Sequence, residues 1–357
     1  QILALQGYRV VQVACGGAHS AVLTSCGDVF TWGRGMEGQL GHASRHLPDE
    51  LNESICGTQL LPKAVPTFLA TKKRSRPVSS ISCGQNFTLV ITRAGEIWAF
   101  GEGGTGQLGV GRVTKIAIPT MVLKECPLTG KPFVEVAAGW SHSLARSSQG
   151  FLFSWGFNAL GALGLGDNKT RFKPEVILGT SATGKEDMPL EVTKIGASGN
   201  CSGALTAKGE LLTWGCSSKG KLGYRESSSS VTRPKRVEGL NGKVVTDFAL
   251  CNGGGMALVP LHVYSIDPKS GPLSGGCTVT IRGCGFWNSD DIVVRFAPVE
   301  KGSNAVSRSS IGKYAGVGKC HHEMITCVVP CFAEAELVYV EVSIRGNQFT
   351  EDGKTFC

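Results

Sequence analysis

One glycine phrase recurs four times down this chain with almost invariant internal spacing. It runs Gly, ten residues, Gly, four residues, an aromatic followed by Gly, four residues, then Gly-x-Leu-Gly. The first copy is Gly16, Gly27, Trp32-Gly33 and Gly38-Gln39-Leu40-Gly41; the second is Gly84, Gly95, Phe100-Gly101 and Gly106-Gln107-Leu108-Gly109. The third is Gly139, Gly150, Trp155-Gly156 and Gly161-Ala162-Leu163-Gly164. The fourth is Gly199, Gly209, Trp214-Gly215 and Gly220-Lys221-Leu222-Gly223, which reads as one residue shorter in its first gap. A period of this length marks a repeat architecture, in which each unit buries its faces only against its neighbours.

Between the glycines lie apolar runs bounded by Gly, Ser or Asn, the pattern of short strands joined by tight turns. Val10 to Ala14, Ser20 to Thr24 and Val29 to Trp32 form the first set; Thr88 to Thr92 with Glu96 to Phe100, and Gly203 to Thr206 with Glu210 to Trp214, repeat it. The segments between runs are too short for helices. Glycine reaches 49 of 357 residues without low complexity, so many backbone positions need positive φ or close approach. Each repeat therefore predicts a four-stranded antiparallel blade, with the aromatic before Gly as a wedge between blades.

Val13-Ala14-Cys15-Gly16-Gly17-Ala18-His19-Ser20-Ala21-Val22-Leu23 resembles the signature of the regulator of chromosome condensation (RCC1-type) repeat. Val136 to Ala145 follows it through Gly139 and His142, Phe87 replaces the signature histidine in the second copy, and Ser202 takes its place in the fourth. Phe248 to Val259 reads as a decayed fifth start, with Cys251 where glycine belongs. The resemblance covers residues 1–259 and implies an all-β fold, a partial RCC1-type β-propeller of four recognisable repeats plus the start of a fifth. Because such rings usually have about seven blades, it also implies a piece of a longer protein, the alternative being a complete four- or five-bladed propeller. Its structural signature residues are Gly16, His19, Trp32, Gly33, Gly84, Gly101, Gly139, His142, Trp155, Gly156, Trp214 and Gly215.

The repeat stops after Val259-Pro260. A turn-rich segment, Ile266 to Gly276, leads into Thr278-Val279-Thr280-Ile281, with further strands expected at Ile292–Phe296, Ile325–Val329 and Val338–Ile344. Residues 261–357 resemble the IPT/TIG domain, an immunoglobulin-like β-sandwich; Ile325 to Pro330 and Gly346 to Thr350 fit its later strands. The family implies protein contacts for this domain.

The chain's net charge of +8 sits on the repeats: residues 1–260 carry 27 Lys and Arg against 18 Asp and Glu, and residues 261–357 carry 9 against 10. That is too mild to require a polyanionic partner. The densest basic run, Lys72-Lys73-Arg74-Ser75-Arg76, reads as a solvated loop or as a contact to nucleic acid or chromatin. Fourteen cysteines, scattered and partly at small-residue signature positions, fit free thiols of a reducing cytoplasm or nucleus. Two other cysteine readings stay open: zinc at Cys320, His321, His322, Cys327 and Cys331, and a Cys277–Cys284 disulfide in an oxidising setting. The four Asn-x-Ser/Thr triplets at Asn52, Asn86, Asn168 and Asn200 are read as chance.

No nucleotide cradle, nucleophile elbow or metalloprotease helix occurs, and no cofactor is expected. His19 and His142, at repeated places, read as hydrogen-bonding struts. Trp140 resembles the light-absorbing tryptophans of the plant UV-B photoreceptors of the family, but Ala18, Asn86 and Cys201 stand near that place in other copies. The expected function is a non-enzymatic protein-interaction scaffold, using variable loops such as Leu47 to Pro77 and Thr180 to Pro189. The alternatives are guanine-nucleotide exchange on a Ran-like small GTPase and chromatin association.

Overall fold

The structure is a computed structural model. It describes residues 2–43, 57–69, 76–179, 188–224, 229–241, 243–286, 293–298, 314–315, 319–321, 324–329, 331–332, 337–343, 349–350 and 352–357. They divide into two compact units, Gln1–Leu258 and Val259–Cys357. Both are built of antiparallel strands, with no α-helix among the described residues.

Four blades make up most of the first unit. The first holds β1 (Val10–Cys15), β2 (His19–Thr24), β3 (Val29–Gly33) and β4 (Gln59–Ala64); the second holds β5 (Val78–Cys83), β6 (Phe87–Thr92), β7 (Ile97–Gly103) and β8 (Thr114–Leu123). The third holds β9 (Phe133–Ala138), β10 (His142–Ser147), β11 (Leu152–Gly156) and β12 (Arg171–Val176). The fourth holds β13 (Lys194–Ser198), β14 (Cys201–Leu205), β15 (Leu211–Cys216) and β16 (Ser230–Arg236). A hairpin of β17 (Asp247–Cys251) and β18 (Gly254–Leu258) follows as the fifth unit. In every blade the strands lie side by side in chain order.

The second and third strands are buried on both faces because blades stack on blades; β6, β10 and β14 are almost wholly enclosed. Core clusters accordingly cross the blade seams, as where Phe133 and Phe153 of the third blade pack with Phe87, Leu89 and Ile91 of the second. First strands approach one another at the inner edge. The Gln12 amide makes two hydrogen bonds to the Ile81 backbone, at 2.9 and 3.0 Å. The Ala138 amide donates to Ser82 Oγ, and the Ile195 amide to Glu135 Oε1.

A fourth strand was expected in each blade, but its position was not foreseen in the sequence. The expected loop Leu47 to Pro77 contains β4 and a short turn, Pro66–Phe68, whose Phe68 ring is fully buried. Each outer strand also slips register opposite its third strand, and each carries a proline there: Pro62, Pro119, Pro174 and Pro234. Proline donates no ladder hydrogen bond, so it is confined to edges and bulges of this kind.

The second unit has two sheets. One orders β19 (His262–Asp267), β20 (Thr278–Cys284), β24 (Met324–Val328) and β23 (Lys319–His321); the other orders β22 (Tyr314–Ala315), β21 (Val293–Pro298), β25 (Val338–Ser343) and β26 (Thr355–Phe356). Both contribute to one core, with Val263, Val279, Ile281 and Ile325 facing Val294, Phe296, Val340 and Phe356. Glu341, nearly buried on β25, is held by Arg295 of β21, whose guanidinium also lies 4.0 Å from the Phe349 ring centroid.

The Cys277–Cys284 bridge is ruled out. Cys277 precedes β20 and Cys284 ends it, so extended chain separates them by roughly 23 Å. Cys277 and Cys327 are free thiols. Of the zinc candidates, Cys327 is buried in the core and Cys331 is exposed, and no three metal-ligating side chains converge among the described residues. His322 and the side chains of Cys320 and His321 lie outside them.

Candidate interaction surface

The signature residues meet at the seams between blades. The Trp155 indole N–H of the third blade donates to the Gln107 carbonyl of the second, at 2.9 Å, and Trp214 of the fourth donates to Ala162 of the third, at 2.9 Å. These acceptors are the x residues of Gly-x-Leu-Gly. A Cβ on the last glycine of that corner would strike the next blade's aromatic: Gly41 meets Phe100, Gly109 meets Trp155 and Gly164 meets Trp214, all at 2.7–2.8 Å. The corner must be glycine because the next blade's ring rests on it. Trp32, in the first blade, is half-buried.

A hydroxyl next to each aromatic in the sheet completes the joint. Thr88, Ser143 and Ser202 donate to the corner carbonyls of Gln39, Gln107 and Ala162, the last two shared with the indoles, at 2.7–2.8 Å. The signature histidines reach across to two of these hydroxyls: His19 Nε2 lies 2.9 Å from Thr88 Oγ1 and His142 Nε2 2.8 Å from Ser202 Oγ. Burial lowers both imidazoles from 6.5 to about 4, so they are neutral struts at physiological pH. Gly33, Gly101, Gly156 and Gly215 pair with the residues at this signature place, with φ between +103° and +117°.

The fourth copy is framed differently from its reading in the sequence. Cys201, not Ser202, pairs with Gly215 and so occupies the signature histidine's place; Ser202 pairs with Trp214, as Ser20 does with Trp32. Ser198 then stands where Gly16, Gly84 and Gly139 stand, and no residue is missing. The reason is steric. A Cβ at Gly16, Gly84 or Gly139 would lie 2.0–2.2 Å from the ring of His19, Phe87 or His142. With the smaller Cys201 opposite, a serine fits.

A run of backbone hydrogen bonds fixes the frame of every blade: Gly17 N–H to Gln85, Gln85 N–H to Trp140, and Trp140 N–H to Gly199, at 2.8–3.1 Å. Gly17, Gln85 and Gly199, rather than Ala18, Asn86 and Cys201, are thus the counterparts of Trp140. Its exposed indole stands without a tryptophan at the matching place in those three blades, which is not the cluster the photoreceptor reading requires.

The blades present two ends. Corners and first-to-second-strand turns occupy one. At the other, the turn glycines Gly27, Gly95, Gly150 and Gly209 accept hydrogen bonds from Val78, Phe133, Val192 and Val245 of the next unit. The connections from one blade to the next leave from this turn end. Two open clefts lie there on successive seams: one of about 370 Å³ lined by Arg146, Ser148, Gln149, Glu191 and Thr193, and one of about 180 Å³ lined by Glu96, Lys124, Glu125 and Pro132. Of the basic run, Lys72, Lys73 and Arg74 lie outside the described residues. Arg76 packs over the Trp98 ring, 4.9 Å from its centroid, beside Glu96, whose carboxylate also accepts the Trp98 N–H. No described helix is long and apolar enough to cross a membrane.

Comparison with known proteins matches the same two units. The family model of the RCC1-like domain covers residues 1–259, and that of the IPT/TIG domain covers residues 261–356. The human E3 ubiquitin-protein ligase HERC2 is 33% identical over 250 residues, 70% of this chain and 5% of that protein. The ultraviolet-B receptor UVR8 of Arabidopsis thaliana is 29% identical over 281 residues, 77% of this chain and 58% of the receptor. Among solved structures, human WBSCR16 superposes with a TM-score of 0.57 at 18% identity, covering 91% of this chain and 88% of that one. Prp20p of Saccharomyces cerevisiae, described with its binding properties to Gsp1p and histones, gives 0.54 at 22%, covering 71% and 56%. This chain therefore spans a small part of HERC2 and little more than half of UVR8. The blades, their joints and the family match agree that the chain belongs to the RCC1-like domain family and carries an IPT/TIG domain after its repeats.

Proposed function

We propose that this chain is a non-enzymatic interaction scaffold whose partner protein docks on the turn end of the blades. One observation carries the reading. The segments flanking Lys72–Arg76 and Thr180–Pro189 both leave from the end that holds the seam clefts. The signature polar groups, by contrast, are engaged in joints and closed to a ligand. Variable segments on a rigid framework are the usual seat of recognition. The buried free thiols Cys83, Cys201 and Cys327 favour a reducing compartment, cytoplasmic or nuclear.

The experiment is retention of a co-purifying partner by the full chain. Glu191→Arg, in the larger cleft, removes the partner, whereas Glu102→Arg, at the corner end, leaves it bound. Equal retention by both variants counts against the turn end. Accelerated GDP release from a Ran-like GTPase at catalytic concentrations of the chain would instead establish the exchange reading. For chromatin, the discriminating result is affinity that falls steeply with salt and is lost in the Lys72→Ala plus Arg74→Ala variant.

A further inference from the structure

The joint between the fourth blade and the hairpin β17–β18 differs from the three before it. At the signature place Cys201 replaces a ring, and the hairpin offers Gly255 where earlier blades offer a hydroxyl. Three thiols gather there instead. Cys201 and Cys216 share one buried cluster with Leu222 and Tyr224, and the Cys201 thiol donates to the Cys216 carbonyl at 3.3 Å. Cys251 of the hairpin is exposed and close enough to act electrostatically on Cys201.

Lys221 sets the chemistry of this cluster. It stands at the corner position held by Gln39, Gln107 and Ala162 in the other blades, and its ammonium reaches the Asn252 carbonyl at 3.5 Å and the Cys216 thiol. Ser218 Oγ lies 3.2 Å from the same sulfur. Burial pushes the Cys216 thiol up, but the hydrogen bonds of Ser218 and the charge of Lys221 outweigh it and hold the group below the ordinary thiol value. Burial drives Cys201 up to about 11, and Cys83 and Cys327 up to about 12. A thiol beside an ammonium and a hydroxyl, in one buried cluster with a second thiol, is the setting of a reactive cysteine and its resolving partner.

We propose that this joint is a peroxide-responsive modification site, in which Cys216 is oxidised and Cys201 resolves it as a disulfide within the fourth blade. The Cys216 thiolate attacks one peroxide oxygen, the O–O bond breaks, and the departing hydroxide takes a proton to leave water and a sulfenic acid. The Cys201 sulfur then attacks the Cys216 sulfur, the S–O bond breaks, and the hydroxide leaves as water with the Cys201 proton. Two thiols and one peroxide give one disulfide and two waters.

The test uses the full chain and hydrogen peroxide, with sulfenic-acid trapping and peptide mass spectrometry under non-reducing conditions. Cys216 is expected to be trapped about tenfold faster than Cys83 or Cys327, and to yield a Cys201–Cys216 linked peptide. Lys221→Gln, which restores the corner residue of the first two blades, should slow trapping by roughly threefold or more at unchanged melting temperature. Three results overturn the proposal: trapping of Cys216 no faster than of Cys83, a link through Cys251 in place of Cys201, or an unaltered rate in Lys221→Gln.

Discussion

The strictest rule in the chain operates between two side chains three residues apart. Where a ring stands at the signature place, the residue three before it has no room for a Cβ; where Cys201 stands there, that residue is Ser198. The pair should behave as one unit in a double-mutant cycle. Gly139→Ser alone forces a Cβ into His142 and is expected to cost about 1–3 kcal/mol, in the range of overpacked cores. Adding His142→Cys, which reproduces the fourth blade, should recover at least about 1 kcal/mol of that loss. Urea denaturation of the four proteins measures the coupling, and strict additivity would dissociate the two positions. The sequence showed the glycine and the histidine but not their dependence. Counting from Gly199 shifted the fourth copy by one residue, because a glycine there satisfies the pattern while serving a different turn position.

Among the strands, legibility followed burial. The second and third strands of the first, second and fourth blades, with β1, read clearly because apolar runs sit between glycine turns. The outer strands β4, β8, β12 and β16 did not, since they are half-exposed, polar and interrupted by proline. In the sandwich, β20, β21, β24 and β25 were foreseen to within a few residues from their β-branched content, while the two- and three-residue strands β22, β23 and β26 are too short to carry a pattern. The outer prolines should also protect the blade edges, as an outer strand without proline offers unpaired donors to another molecule. Pro174→Thr should leave the fold intact and raise the aggregation rate of the chain in light scattering at 37 °C. An unchanged rate would confine Pro174 to shaping the bulge.

For the molecule as a whole, three neutral imidazoles tie stability to pH. His19 and His142 are held near 4 by burial, and His42 likewise by burial and then by the charge of Lys63, against a hydrogen bond to the Lys63 carbonyl. Folded values below 6.5 mean that the unfolded chain binds more protons as pH falls through 6.5. Stability is therefore fully present above that value and is lost progressively down to about 4, each histidine contributing up to about 3 kcal/mol. His142→Phe, which copies the second blade, should flatten the fall in unfolding free energy between pH 7 and 4.5 relative to the parent. An identical slope would remove His142 from the titration.

The backbone run from Gly17 through Gln85 and Trp140 to Gly199 donates forward at each of its three steps, and the Trp155 and Trp214 indoles donate back. Each of these blades thus has a tongue side and a groove side, and the three seams from the first blade to the fourth share the same forward backbone fitting. Such a fitting is blind to count. A duplicated repeat spliced between the Gly161 corner and Trp214 would find both its mates ready-made, so tandem duplication or loss of a whole repeat can alter the length of the array without redesigning a single contact. Evolution by copying is in that sense written into the direction of three hydrogen bonds.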